Sequence, residues 1–148
     1  MASISANGSK GHHKFTLNVT QSATDIATNT STLSFDFKIS PIYNSWDFYG
    51  WNQQIAYTLT INGANYTGYI PDYDGYSVVT LKTGTQPVKH NDDGSKSISF
   101  SFSVTDSSGQ PYTPGTASAS GTFTLNTIPR ASTVSAVSGT TIGGQMTV

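Results

Sequence analysis

Residues 55–69 read IAYTLTINGANYTGY, and the fold turns on this stretch. Ile55, Tyr57, Leu59 and Ile61 alternate with Ala56, Thr58 and Thr60. Side chains of a β-strand leave opposite faces at every second residue, so the first set lines a buried face while the threonines meet water. Asn62-Gly63 follows directly. A two-residue hairpin turn of type I′ needs positive φ at both positions, which Asn and Gly tolerate best. The return strand carries Ala64, Tyr66 and Tyr69, so the stretch is an antiparallel hairpin.

The same period extends in both directions. Phe15, Leu17 and Val19 share one face of an earlier strand, and Leu33, Phe35, Phe37 and Ile39 share one face of the next. Pro71-Asp72-Tyr73-Asp74-Gly75 reads as a tight turn into a strand over 76–81. A second hairpin centres on Asn91-Asp92-Asp93-Gly94, linking 88–90 to a long strand with Ile98, Phe100, Phe102 and Val104 on one face. The last strand carries Ala117, Ala119, Phe123 and Leu125, with Gly121 where a side chain would crowd a neighbour. No stretch reads as a helix: Glu is absent and all eight acidic residues are Asp, which favours turns over helix interiors. The expectation is an all-β fold, an antiparallel β-sandwich of about eight strands and jelly-roll-like. Its expected core is Phe15, Leu17, Leu33, Phe35, Phe37, Leu59, Ile61, Ile98, Phe100, Phe102, Phe123 and Leu125. The pattern stops near Pro129. Residues 1–126 are therefore read as the sandwich, 127–132 as a linker, and 133–148 as the truncated start of a following module, where Val134 and Val137 resume the alternation too briefly to bury a face.

Composition narrows the function. Leu, Ile, Val and Phe total 30 of 148 residues, a sparse apolar set, but a net charge of −1 and strict alternation favour folding over disorder. The seven Lys and Arg are scattered, which argues against nucleic acid as a partner. No stretch reaches the roughly 20 apolar residues of a membrane span, so no membrane partner is expected. There is no cysteine, and the polar N-terminus has no signal-peptide pattern, so synthesis in a cytoplasm is expected.

The densest chemical signal is residues 41–54, PIYNSWDFYGWNQQ, which hold both Trp residues of the chain. Tyr43, Asn44, Trp46, Asp47, Tyr49, Trp51 and Gln53 interleave flat aromatic faces with amides and a carboxylate. A second cluster, Asp72, Tyr73, Asp74 and Tyr76, lies in the turn that follows. Such a mixture suits a sugar, whose C–H face packs on an aromatic ring while planar amides and carboxylates pair with its hydroxyls. The competing reading is that Trp46, Phe48 and Trp51 cap the open end of the core, since Trp is highly buried on average. Asp72 and Asp74 lack a third acid at calcium spacing and read as a plain turn. His12 and His13 point to opposite faces of a strand, so they share no metal. No catalytic residue, metal or cofactor is assigned: no nucleophile elbow, zinc signature or phosphate loop is present, and a glycosidase needs two placed carboxylates.

Three stretches carry a family likeness. Residues 88–96 (VKHNDDGSK) followed by alternating Ile98, Phe100 and Phe102, residues 121–132 (GTFTLNTIPRAS), and the opening 1–8 with Phe15-Thr16-Leu17-Asn18-Val19 resemble minor structural and tail fibre (host-attachment) proteins of siphophages infecting Gram-positive bacteria. The resemblance implies a place in the virion, in the phage tail, among other tail proteins and as a homo-oligomer. It transfers no site residue. Joined to the aromatic loops, it suggests a carbohydrate-binding or adhesion module that recognises cell-surface polysaccharide of a Gram-positive host. The alternatives are a structural docking or spacer domain without ligand and, last, a glycan-active enzyme domain.

Overall fold

Alternation of large apolar side chains with Ser and Thr makes each strand two-faced, and two such sheets bury their apolar faces only against each other. The structure, a computed structural model, describes residues 1–42, 53–72, 77–111 and 113–130. Within them lie β1 (Ala2–Asn7), β2 (His13–Asp25), β3 (Thr30–Pro41), β4 (Ile55–Ile61), β5 (Ala64–Tyr69), β6 (Val79–Lys89), β7 (Ser97–Asp106) and β8 (Ala117–Thr124), with no helix among the described residues. They form two four-stranded antiparallel sheets, ordered β1-β2-β3-β6 and β5-β4-β7-β8. The expected β-sandwich is what the chain forms. β1, β2 and β3 are a plain meander. The chain then crosses to the second sheet at β3→β4 and again at β6→β7, and β6 pairs with β3 while β7 pairs with β4. With the return at β5→β6, the chain passes between the two sheets three times.

The expected core residues are buried, apart from Phe123, which is partly buried and packs against the cluster. Phe15, Phe37 and Phe102 meet at its centre, with ring centroids 5.8 Å apart for Phe15–Phe37, 5.1 Å for Phe37–Phe102 and 6.4 Å for Phe15–Phe102. Tyr57 adds to Phe37 at 5.2 Å and Tyr66 to Phe35 at 4.7 Å, each pair joining one sheet to the other.

Two strands differ from the sequence expectation. β1 occupies the polar N-terminus, where Ala2, Ile4 and Ala6 turn inward between exposed Ser3, Ser5 and Asn7. Residues read as two short strands, 76–81 and 88–90, are joined in β6. Gly84 and Pro87 suggest a break there, yet the Phe35 ring fills the space a side chain at 84 would need, 2.6 Å from its Cβ position. Pro87 is tolerated because β6 ends its sheet.

The turn at 91–94, central to the family likeness, builds the base of the sandwich opposite the β3–β4 connection. His90 is buried. The Gly94 carbonyl, 2.7 Å from His90 Nδ1, can only accept, so Nδ1 carries the proton. Nε2 then accepts from the Ser31 hydroxyl at 2.6 Å, and Ser31 Oγ accepts from Gln21 Nε2 at 2.8 Å. Asn29, with φ 55, donates to the Asn91 carbonyl at 2.8 Å. Residues 127–130 of the segment read as a linker run along this base. Ile128 is buried and its N–H donates to the Gly94 carbonyl at 2.9 Å, while Arg130 donates to the Ile26 carbonyl at 3.0 Å. Residues 133–148 lie outside the described residues.

This base yields a stability test. Gly94 has φ 87, and a Cβ there would collide with the Ile128 carbonyl. Gly94→Ala should lower unfolding stability by about 2–3 kcal/mol in urea titration, because the strained backbone and the collision add. Ile128→Ala should cost about 2–4 kcal/mol as a cavity in the core's lower margin. A loss below about 0.5 kcal/mol for both would mean that the C-terminal strap is not part of the folded unit.

Candidate functional site

Strand register collects four connections at one end. His13 opposes Pro41 and Ile39 opposes Val79 in the first sheet. Ile55 opposes Asp106, Ala56 opposes Tyr69, and Val104 opposes Ala117 in the second. The connections β1–β2, β3–β4, β5–β6 and β7–β8 therefore all start and finish at this end. The two aromatic segments singled out in the sequence belong to the second and third of them.

Their roots are tied by backbone bonds. Ile42 N–H donates to the His12 carbonyl, Ile70 N–H to the Ile55 carbonyl, and Ser107 N–H to the Gln54 carbonyl, each at 2.9 Å. Gln53 enters β4 with φ 68. The β1–β2 and β7–β8 connections interlock: Ser9 N–H donates to the Thr116 carbonyl at 2.8 Å, and Thr116 N–H donates to Ser9 Oγ at 2.9 Å.

Of the candidate site residues, Gln53 and Asp72 are described, and both are exposed at this end. Tyr43, Asn44, Trp46, Asp47, Tyr49, Trp51, Tyr73, Asp74 and Tyr76 lie outside the described residues, as does Gly75 of the weighed calcium turn. Two tyrosines between the segments have other duties. Tyr57 is core and donates to the Leu81 carbonyl at 3.1 Å. Tyr66 packs on Phe35 and donates to Gln86 Oε1 at 3.3 Å. Tyr69 faces out, 54% exposed.

Sequence reasoning missed the polar rim beside these roots. Asp106 Oδ1 accepts from Ser108 N at 2.9 Å and from the Ser108 hydroxyl, and Oδ2 accepts from Thr113 Oγ1 at 2.6 Å. Burial would push the Asp106 carboxyl up, but these bonds and the charge of Lys10 outweigh it and hold the pKa below the ordinary value. The spacing Asp-Ser-Ser is the turn signal that marks it. Lys10 Nζ reaches the Gln110 carbonyl at 3.3 Å. His13 is buried, and burial first, then the charge of His12, pushes its pKa down. Among the described residues no three His, Asp, Glu or Cys gather around a common point.

Residues 1–148 match the model of a protein family described as "Siphovirus protein of unknown function (DUF859)". No curated protein and no solved structure matches the chain.

The lowered pKa of His13 sets a pH dependence. The unfolded chain binds a proton near the usual value of 6.5, while the folded chain resists until lower pH, so stability is full above about 6.5 and falls as pH drops through the folded pKa's window. His13→Gln should flatten that part of the curve in urea titrations between pH 7.5 and pH 5. Parallel curves for the two proteins would show that His13 titrates freely.

Proposed function

The chain belongs to the siphovirus protein family of unknown function (DUF859), and within that setting we propose that it is a host-recognition module of the phage tail that binds cell-surface polysaccharide through its loop end. One observation carries the reading: the roots of residues 43–52 and 73–76, the segments richest in Trp, Tyr, amide and carboxylate, stand at the same end of one sandwich. Loops on a rigid scaffold are where binding residues gather. Arg130 is tied to the Ile26 carbonyl at the opposite end of the sandwich.

The proposal is binding without catalysis. Asp25 bonds Ala27 N, Asp93 bonds Ser95, Asp106 bonds Ser108 and Thr113, and Asp36 bonds Asn18, so these four carboxylates hold turns and strands. Affinity at a single site should be low, since each sugar hydroxyl exchanges a water bond for a protein bond. Multiple copies supply avidity through effective concentration.

A second reading, a docking or spacer domain, draws on the outer face of the second sheet. It carries Thr58, Thr60, Ser99, Ser101, Ser103, Ser118, Ser120 and Thr122 and no charge, a face that costs less to desolvate than a charged one.

Trp46→Ala and Trp51→Ala should each lower binding to host cell-wall polysaccharide in a pull-down at least tenfold, with the melting temperature moving by no more than a few degrees. If both variants fold and still bind at full strength, the aromatic segments are not the site and the docking reading replaces this one.

A further inference from the structure

Four strands end the two sheets, and three of them are closed to further pairing. β1 and β8 lean on each other: Ile4 occupies the space beside Gly121, 2.8 Å from a Cβ there, and Ser9 bonds Thr116 where the strands meet. β6 carries Lys82, Lys89, Pro87 and an extra residue, Leu81, that shifts its register against β3. Charge, proline and bulges are how natural proteins close an edge. β5, Ala-Asn-Tyr-Thr-Gly-Tyr, has no charge, no proline and an unbroken register with β4, and no described strand pairs with its outer side.

The hairpin geometry fixes which backbone groups face outward. Asn62-Gly63 closes Ile61 and Ala64 as a hydrogen-bonded pair, and the Ile70–Ile55 bond shows the same phase at the other end. Bonded and non-bonded pairs alternate in an antiparallel ladder. Ala64, Tyr66 and Gly68 therefore bond β4, while the N–H and C=O of Asn65, Thr67 and Tyr69 point away from it.

We propose that β5 is the pairing edge for a second copy of this chain, antiparallel about a two-fold axis through Thr67. Thr67 then faces Thr67 of the partner subunit, and Asn65 faces Tyr69 of the partner subunit, closing six backbone hydrogen bonds. On the inner side Tyr66 stands opposite Gly68 of the partner subunit, twice, while its ring stays on Phe35 of its own chain. Gly68 carries no side chain, and Tyr57 fills the space that a Cβ there would take. Tyr69, exposed on the outer face of β5, gains Asn65 of the partner subunit as a neighbour. No like charges oppose each other, because β5 has none and the whole chain carries only −1. The two sheets become one eight-stranded sheet. An edge of six residues buries less than a standard interface of about 1,600 Å². The inference stands apart from polysaccharide binding, since the axis turns the two loop ends to opposite poles.

The chain of 148 residues, sedimented from low to high micromolar, should pass from monomer to dimer. Thr67→Pro removes an outward donor without touching the β4 ladder and should weaken the dimer at least tenfold while leaving the circular dichroism spectrum unchanged. The absence of native cysteine allows an independent test. Paired Thr67 residues would have Cα atoms about 5.5 Å apart, within disulfide reach, so Thr67→Cys should form a covalent dimer on mild oxidation. Thr85→Cys on β6 should not. A chain that stays monomeric throughout, or one that cross-links equally at 67 and 85, overturns the proposal, and so does capture of β5 only by an extended segment of another protein.

Discussion

The ring of Phe37 touches Phe15 on the neighbouring strand and both Phe102 and Tyr57 on the opposite sheet, and the rest of the sandwich is arranged to let it do so. With 30 residues of Leu, Ile, Val and Phe and no disulfide, the chain has little apolar area to bury and must place it well. Phe37 sits on β3, the strand from which the chain first crosses to the second sheet, so the contact that joins the sheets also fixes the crossing. Small residues stand where large ones lean: Gly84 under Phe35, Gly68 under Tyr57, Gly121 beside Ile4. Close packing of large against small gives a thin core its density, and removing a ring costs both transfer free energy and a cavity.

How much of this was legible depended on the size of the inward side chains. The hairpin at 55–69 was readable in full, and Asn62 and Gly63 adopt the positive φ values, 48 and 82, that its turn requires. β1 was missed because its inward residues, Ala2 and Ala6, are too small to stand out against Ser, with Ile4 alone between them. β6 was split because Gly and Pro punctuate most sequences, and only the Phe35 ring and the edge position, both tertiary facts, explain them here. At the loop end, register within each sheet brings the ends of four connections to one side, a relation that the pattern along a single strand does not express. The polar rim of Asp106, Ser108 and Thr113 was written in turn residues and was passed over for the louder aromatic signal.

Two of the three stretches behind the likeness to siphophage tail proteins, 88–96 and 121–132, run through the base with their residues 88–96 and 125–130. His90, Asn91 and Gly94 are joined there to Ser31, Asn29 and Ile128 by hydrogen bonds, and Leu125 N–H donates to the Lys96 carbonyl at 2.9 Å. Residues that make a buried hydrogen-bond network cannot change singly without leaving a polar group unsatisfied. Exposed loop residues face no such constraint. A motif of this kind therefore reports a scaffold and not a ligand.

The two sheets also differ in how they meet water. The outer face of the first carries Lys14, Asp36 and Lys38, with Lys38 Nζ 3.9 Å from Asp36. The strands of the second hold a single charged residue, Asp106, at the end of β7 and fully occupied by Ser108 and Thr113. A surface ion pair adds little stability, so the charges of the first sheet matter more for keeping that face solvated. Hydroxyls give up water at lower cost than charges do, and a flat array of them tolerates a neighbour without specifying one. The alternation of Ser and Thr with Phe, Tyr and Ile thus gives the second sheet an outer face that is polar and nearly uncharged among the described residues.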